Sequence, residues 1–286
     1  MTIISPVPLR QDEFERFRAL AYRAAGINLT DGKKQLVQSR LFKRLRHHEM
    51  STFREYLALL DREGENGQEM RSMINSLTTN KTDFFREPHH FEFIARNIMP
   101  EAIAEAAQGR RSRRLRIWHA GCSTGQEPYS CAMTVANSLR GQGIWDIRLL
   151  ASDIDTDVLA AAEEGIYTAE QAMPIPAEMR ERYMRAVPGQ PGHFRVVPEI
   201  AERIAFRQIN LNDEPWPIRR DVRFDIIFCR NVVIYFDKPT QKKLFARFRQ
   251  LLVPEGILFI GHSESLFGID DSFQPLGGTI YRAPTE

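Results

Sequence analysis

The run Leu115-Arg-Ile-Trp-His-Ala-Gly-Cys-Ser-Thr-Gly-Gln-Glu127 decides the fold. Residues 115–120 have the apolar and β-favouring pattern of a strand, 121–125 read as a glycine-bounded turn, and a helix follows from about residue 127 to 139. The same order recurs downstream. Residues 147–152 form a second strand ending at Asp153, and Asp155 caps a helix that runs through Glu164 and stops at Gly165. Residues 224–228 read as a buried strand. Asp237-Lys-Pro239 then starts a helix through Phe245, Phe248 and Leu252, Pro254-Glu-Gly256 stops it, and 256–261 form a last parallel-type strand. Alternation of this kind predicts an α/β fold, with a parallel sheet covered by helices on both faces and ligands at the C-terminal strand ends, near 121–127, 153, 210–212 and 230–235.

Upstream the periodicity changes. Phe14, Phe17, Leu20 and Ala21, and later Phe53, Tyr56, Leu57 and Leu60, repeat near 3.6 residues, so the first hundred residues read as helices. The polar, basic run 108–114 is the best linker. The predicted organisation is a helical domain over 1–95, a linker over 96–114 and an α/β domain over 115–286. Within the last, the proline-rich stretch 174–203 reads as an inserted β-subdomain, with a helix at about 177–186 and a short antiparallel hairpin.

Composition narrows the function. The 286 residues carry 39 basic and 37 acidic side chains, a formal charge of +2, which excludes a generally polyanion-binding surface. Cys122, Cys131 and Cys229 are too scattered for a disulfide framework or a zinc cluster, so a reduced cytoplasm fits best and no metal is predicted. There is no basic n-region followed by an apolar stretch, and no run of about 18 apolar residues, so neither secretion nor membrane insertion is expected.

A glycine turn after one strand brings backbone N–H groups close to a ligand, and a carboxylate after the next can accept both hydroxyls of a ribose. Gly121 to Gly125 and Asp153 hold those places in one β-α-β unit and point to a nucleoside, although the spacing is not that of a GxGxxG dinucleotide fingerprint. Either feature alone reads equally well as a structural turn or a helix-flanking acid. No Ser/His/Asp or Cys/His arrangement stands out. His89, His90 and His119 read as structural and Cys122 as a small packing residue.

Five motifs identify the ligand by resemblance. They are Asn80-Lys-Thr-Asp-Phe-Phe-Arg-Glu-Pro-His-His-Phe91, Trp118-His-Ala-Gly-Cys-Ser-Thr-Gly-Gln-Glu-Pro-Tyr-Ser130, Ser152-Asp-Ile-Asp155, Cys229-Arg-Asn-Val-Val-Ile-Tyr-Phe-Asp237 and Gly261-His-Ser-Glu-Ser265. In this order they closely resemble the chemotaxis receptor glutamate O-methyltransferases of the CheR type, over nearly the whole chain. The resemblance implies an N-terminal all-helical domain and a Rossmann-like S-adenosylmethionine-dependent methyltransferase domain containing the β-subdomain. It implies cofactor contacts from Asn80, Thr82, Arg86, Glu127, Asp153, Asn210, Leu211, Arg230 and Asn231, with S-adenosylhomocysteine as product. One departure is Gln126, where an acidic residue is common. A substrate glutamate, with a pKa of about 4.3, is already ionised at neutral pH and needs no strong base. Arg86 and Tyr235 are the catalytic candidates, to orient a carboxylate and to hydrogen-bond near the transfer point. Arg86 could instead pair with Glu87 or Asp83, and Tyr235 could be core packing. A module that binds the cofactor without catalysis is the competing class.

The partners implied are the cytoplasmic domains of methyl-accepting chemoreceptors, met by a monomer. Residues 1–50 hold ten basic against five acidic side chains, and on the helix spanning 31–48 Lys33, Arg40, Arg44 and His47 fall on one face beside the apolar Val37, Leu41 and Leu45. Arg40 and Arg44 are therefore expected to be exposed and to dock an acidic helix, unless this is only a solvated face. No aromatic platform or reading helix accompanies the charge, so nucleic acid is not predicted. Resemblance further implies that the hairpin, in some family members, adds the C-terminal tail peptide of some receptors as an extra strand; Arg195 is then placed to meet a peptide carboxylate, unless the hairpin only covers the sheet.

Overall fold

The computed structural model describes residues 8–65 and 67–285. Helices α1 (Gln11–Ala25), α2 (Lys34–His47), α3 (Phe53–Glu63) and α4 (Gln68–Leu77) form the first unit. Their starts and stops are local: Thr52 and Glu55 make a capping box on α3, and Gly26 ends α1 with φ 69°. Phe14, Phe17, Val37, Leu41, Leu45, Phe53 and Tyr56 are all fully buried in one core. Burial of each large side chain contributes about 1.5–3 kcal/mol.

The boundary lies earlier than the sequence predicts. Helix α5 (Pro88–Phe93) widens through one π-turn (Ile94–Ile98) into α6 (Met99–Ala107). Phe91, Ile94, Met99 and Ala102 from this rod are buried in the core of the second unit, not the first. Residues 88–107, divided by the reading between helical domain and linker, therefore belong to the α/β unit. Their apolar stripe fits its helix layer as well as it would fit a bundle.

The main sheet contains β1 (Arg114–Ala120), β2 (Asp146–Asp153), β6 (Ile204–Gln208), β7 (Phe224–Cys229) and β8 (Leu252–Ile260) in parallel, and β10 (Ile280–Arg282) and β9 (Gln274–Gly277) antiparallel at one edge. The order is β6-β2-β1-β7-β8-β10-β9. From β1 the chain winds outward through β2 to β6, then returns to β7 on the other side of β1. That reversal opens a crevice above the carboxyl ends of β1 and β7. Helices α7 (Gln126–Ser138), α8 (Thr156–Glu164) and α12 (Lys238–Leu251) cover the sheet, with Asp155 and Asp237 as N-caps and Gly165 as the left-handed C-cap of α8.

The inserted sheet has three strands. β3 (Ile166–Thr168) precedes the short α9 (Ala169–Ala172) and α10 (Ala177–Tyr183); β4 (Met184–Ala186) and β5 (His193–Val196) follow, in the order β3-β5-β4. The subdomain thus begins at 166, the helix predicted to 186 ends at Tyr183, and α11 (Pro198–Ala201) leads back to the main sheet.

Candidate functional site

The first strand-to-helix turn is shaped by close approach. Gly121 has φ +94°, and a Cβ there would stand 2.3 Å from Val232 Cγ2. Ser123, also left-handed at φ 50°, donates its N–H to Asp153 Oδ2 at 2.8 Å, and the Asp155 N–H donates to Oδ1 at 3.0 Å. The Asp153 carboxylate is thereby pinned at the end of β2, where burial pushes its pKa above the usual range against the pull of those N–H groups. Each oxygen keeps a lone pair for a ligand hydroxyl.

Residues 78–86 cross above this turn. Asn80 Nδ2 donates to Asp155 Oδ2 at 2.7 Å, Ser123 Oγ donates to the Asn80 carbonyl at 2.8 Å, and Arg86 Nη1 donates to the Lys81 carbonyl at 3.0 Å. The helical unit closes the other side. Ala25 and Ile27 line the cleft, the Asn28 N–H donates to the Tyr235 carbonyl at 2.8 Å, and Asn210 Nδ2 donates to the Ala24 carbonyl at 2.7 Å.

A line of charge forms the floor. His119 Nδ1 lies 2.8 Å from Glu127 Oε1, and Arg230 Nη1 donates to Glu127 Oε2 at 3.0 Å. Arg230 Nη2 donates to the Arg86 carbonyl at 2.6 Å and stands 3.3 Å from Glu87 Oε2, while His262 Nδ1 is 3.0 Å from Glu87 Oε1. Burial raises the carboxyl pKa of Glu127, but the His119 bond and the Arg230 charge outweigh it and hold the group below its ordinary value. For His90, burial and the Arg230 charge press the imidazole down to about 4, leaving it neutral at physiological pH. Glu87, His89 and His90 bring ligand atoms within 4.8 Å of one another, and Arg230 provides the positive charge beside them. Cys122 is fully enclosed and burial drives its thiol pKa upward, away from nucleophilic use.

One cleft gathers Asn80, Thr82, Arg86, Glu127, Asp153, Asn210, Leu211, Arg230, Asn231 and Tyr235. Besides the bonds of Asn80, Arg86 and Glu127 already described, Arg230 is engaged, its side chain 2% exposed, and the Asn210 amide ties its loop to the end of α1. Gln126 faces away, accepting from Thr124 Oγ1 at 2.8 Å, so its departure from an acidic residue does not alter the lining. Sequence reasoning placed Ser123 only as part of the glycine turn and missed Ala25 and Ile27. Gly26, a helix-stopping glycine amid apolar residues, was the available signal for Ala25 and Ile27.

The expected exposure of Arg40 and Arg44 is corrected. Arg40 Nη1 donates to the Leu77 and Thr78 carbonyls at 2.5 and 2.7 Å, and Arg44 makes a two-pronged pair with buried Glu69 at 2.9 and 2.7 Å. Both close α2 onto α4. The exposed basic side chains here are Lys33, just before α2, with Lys43, Arg46 and His47 on it. Arg195 is exposed, but it lies on the middle strand of the small sheet, so only β3 and β4 offer free edges.

Residues 80–282 match the family described as CheR methyltransferase, SAM binding domain, and residues 12–78 match the CheR methyltransferase all-alpha domain. The chain belongs to the CheR methyltransferase family. It is 43% identical over 274 residues to chemotaxis protein methyltransferase 2 of Pseudomonas aeruginosa, covering 95% of this chain and 92% of that one. It is 42% identical over 275 residues to the chemotaxis protein methyltransferase of Escherichia coli K12, covering 96% and 91%. This CheR methyltransferase is an S-adenosylmethionine-dependent enzyme, and the cleft fits that group. Gly121, packed bare against Val232, lines the cleft, Asp153 offers acceptors for ribose hydroxyls, and Ile154, Ile209 and Leu211 provide apolar walls. Among the described residues no helix is long and apolar enough to cross a membrane.

Proposed function

We propose that this CheR methyltransferase acts as a cytoplasmic monomer, forming γ-carboxyl methyl esters on glutamates of the cytoplasmic helices of chemoreceptors and so setting sensory adaptation. The carrying observation is the state of the acid–base groups. Glu127 is held ionised between His119 and Arg230, His90 is neutral and buried, and Arg86 and Tyr235 line the cleft. That set suits a nucleophile already ionised, as a glutamate is above a pKa of about 4.3. When bound, S-adenosylmethionine supplies an electrophilic methyl group. Asp153 accepts from the ribose, and Asn80, Thr82, Leu211 and Asn231 enclose the nucleoside and methionine ends. Arg86 orients the incoming carboxylate, and the Tyr235 hydroxyl hydrogen-bonds beside the transfer point. The helical unit's contact with the cleft excludes water, which strengthens these charge interactions.

Docking of an acidic receptor helix falls to Lys43, Arg46 and His47 rather than to Arg40 and Arg44. A receptor tail peptide, where one is docked, adds at the edge of β4, within reach of Arg195. Transfer of tritiated methyl groups to receptor-containing membranes tests the reading. Base should release the label as volatile methanol, whereas base-stable label would point to nitrogen or sulfur methylation and sink the proposal.

A further inference from the structure

Strand β8 ends at Ile260, and the chain folds back through Gly261, His262 and Ser263, with the Glu264 N–H donating to the Gly261 carbonyl at 2.9 Å. The Glu264 carboxylate is thereby aimed beneath the exit of the neighbouring strand β7. Oε2 accepts the Gly261 N–H at 2.6 Å and the Asn231 N–H at 3.0 Å, and Oε1 accepts the Ile234 N–H at 3.3 Å. The residue is 7% exposed. Among the described residues no cationic side chain lies within ion-pair distance of it, so its partners are backbone donors.

Two features mark the turn it holds. Asn231 takes the left-handed region, φ 59°, which is uncommon outside glycine and which asparagine tolerates best. A Cβ on Gly261 would stand 2.5 Å from Asn231 Nδ2 and 2.9 Å from both Asn231 N and Glu264 Oε2, so the two strand exits meet where only a bare Cα fits. From this turn Asn231, Val232 and Tyr235 project to the cleft. Val232 is also the side chain against which Gly121 packs. Movement of the turn would therefore disturb both the transfer point and the glycine loop.

We infer that Glu264 is a positioning residue for methyl transfer: its carboxylate clamps the turn 231–235 and so fixes Tyr235 and Asn231 against the bound reactants. The inference rests on the reading of Tyr235 given above. A displacement near 1 Å at such a site costs about 100-fold in rate, so even partial loss of the clamp should be visible in kcat.

Glu264→Gln keeps the volume but turns an amide NH₂ toward N–H donors. In the full-length enzyme, at saturating cofactor, kcat for receptor methylation should fall about tenfold or more. The affinity for S-adenosylhomocysteine should fall by less than kcat does, because Asp153, the acceptor for the ribose, is held by Ser123 and Asp155 and not by this clamp, while KM for receptor should stay within a few-fold. A purely structural role would lower thermal stability yet leave kcat per folded enzyme at the parent value, and that result overturns the inference. The cycle with Tyr235→Phe separates the two readings. Strongly sub-additive losses support action through Tyr235, and fully additive ones overturn it. A Tyr235→Phe single variant at parent kcat refutes the Tyr235 assignment independently of Glu264. Should Glu264→Gln not fold, Gly261→Ala presses on the same turn with the carboxylate intact. It should show the same loss of kcat, again larger than its loss of cofactor affinity, and parent kcat there also overturns the inference.

Discussion

Arg44→Met distinguishes a docking arginine from one that builds the helical unit. The guanidinium meets Glu69 through Nε–Oε1 at 2.9 Å and Nη2–Oε2 at 2.7 Å, with Arg44 20% and Glu69 4% exposed. Removing one partner of a fully buried pair costs about 3–5 kcal/mol. Here Arg44 is partly solvated, while Tyr56 Oη at 2.5 Å and His48 Nε2 at 2.8 Å still face the carboxylate, so a loss of about 2–3 kcal/mol is expected. At about 1.4 kcal/mol per factor of ten, amide exchange of α3 and α4 should quicken roughly 30- to 150-fold, read by hydrogen-exchange mass spectrometry. Burial alone would raise the Glu69 carboxyl pKa, but the bonds from Arg44, Tyr56 and His48 outweigh it and hold the folded value below 4.5. A depressed carboxyl stabilises the fold above its unfolded pKa and loses that contribution as pH falls through the folded one. The difference between parent and variant should therefore be full at neutral pH and close as pH falls through the depressed folded value, below the usual carboxylate range. Receptor methylation per folded enzyme at low salt should be unchanged. Parent exchange rates in α3 and α4, combined with weaker receptor methylation, would refute this and restore Arg44 to the docking face.

Asp153→Ala should weaken S-adenosylhomocysteine binding at least tenfold by calorimetry, since a hydrogen bond to a charged acceptor contributes about 1.5–3 kcal/mol; unchanged affinity in a folded variant removes Asp153 from the site. Gly121→Ala should lose cofactor affinity and activity together because its Cβ meets Val232, whereas Gly109→Ala, also left-handed but with nothing within 4 Å, should keep both. Replacing Lys43 and Arg46 together by alanine should reduce receptor methylation at low salt without altering S-adenosylhomocysteine affinity. The parent reaction should itself weaken with salt, as exposed charges are screened over about 8 Å at physiological ionic strength. A double variant methylating receptor like the parent at low salt would leave these residues a solvated face.

The α/β architecture was legible because its signals are local. Asp155 and Asp237 cap helices through their own side chains, Gly165 closes α8 in the left-handed region, and buried parallel strands read as continuous apolar runs. What escaped was decided by partners distant in sequence. β9 carries Pro275 and Gly277, and Gly278 follows it, which argue against strand, yet β10 pairs antiparallel with β8 along 257–259 and β9 pairs in turn with β10. The rod 88–107 is equally apolar whether it faces a bundle or a sheet. Only the packing of Phe91 and Ile94 against the sheet core assigns it to the α/β unit.

Site residues divide along the same line. Asp153 and the Gly121–Gly125 turn occupy positions that the β-α-β unit itself defines, so spacing alone brings them to one crevice. Arg40 and Arg44 lie on a face that helical periodicity correctly identifies, but periodicity cannot say whether α4 covers it. A buried acid such as Glu69 looks in sequence like any surface glutamate, and the charge excess of residues 1–50 therefore overstates what is free to meet a partner. Arg230 shows the converse. Its place between two cleft-lining segments invites a ligand-binding role, yet its guanidinium is consumed by Glu127, Glu87 and the Arg86 carbonyl, so it acts on a ligand chiefly by holding those groups. Net charge and motif position thus locate the chemistry, while the pairing of each charge decides whether it faces the ligand or supports the wall behind it.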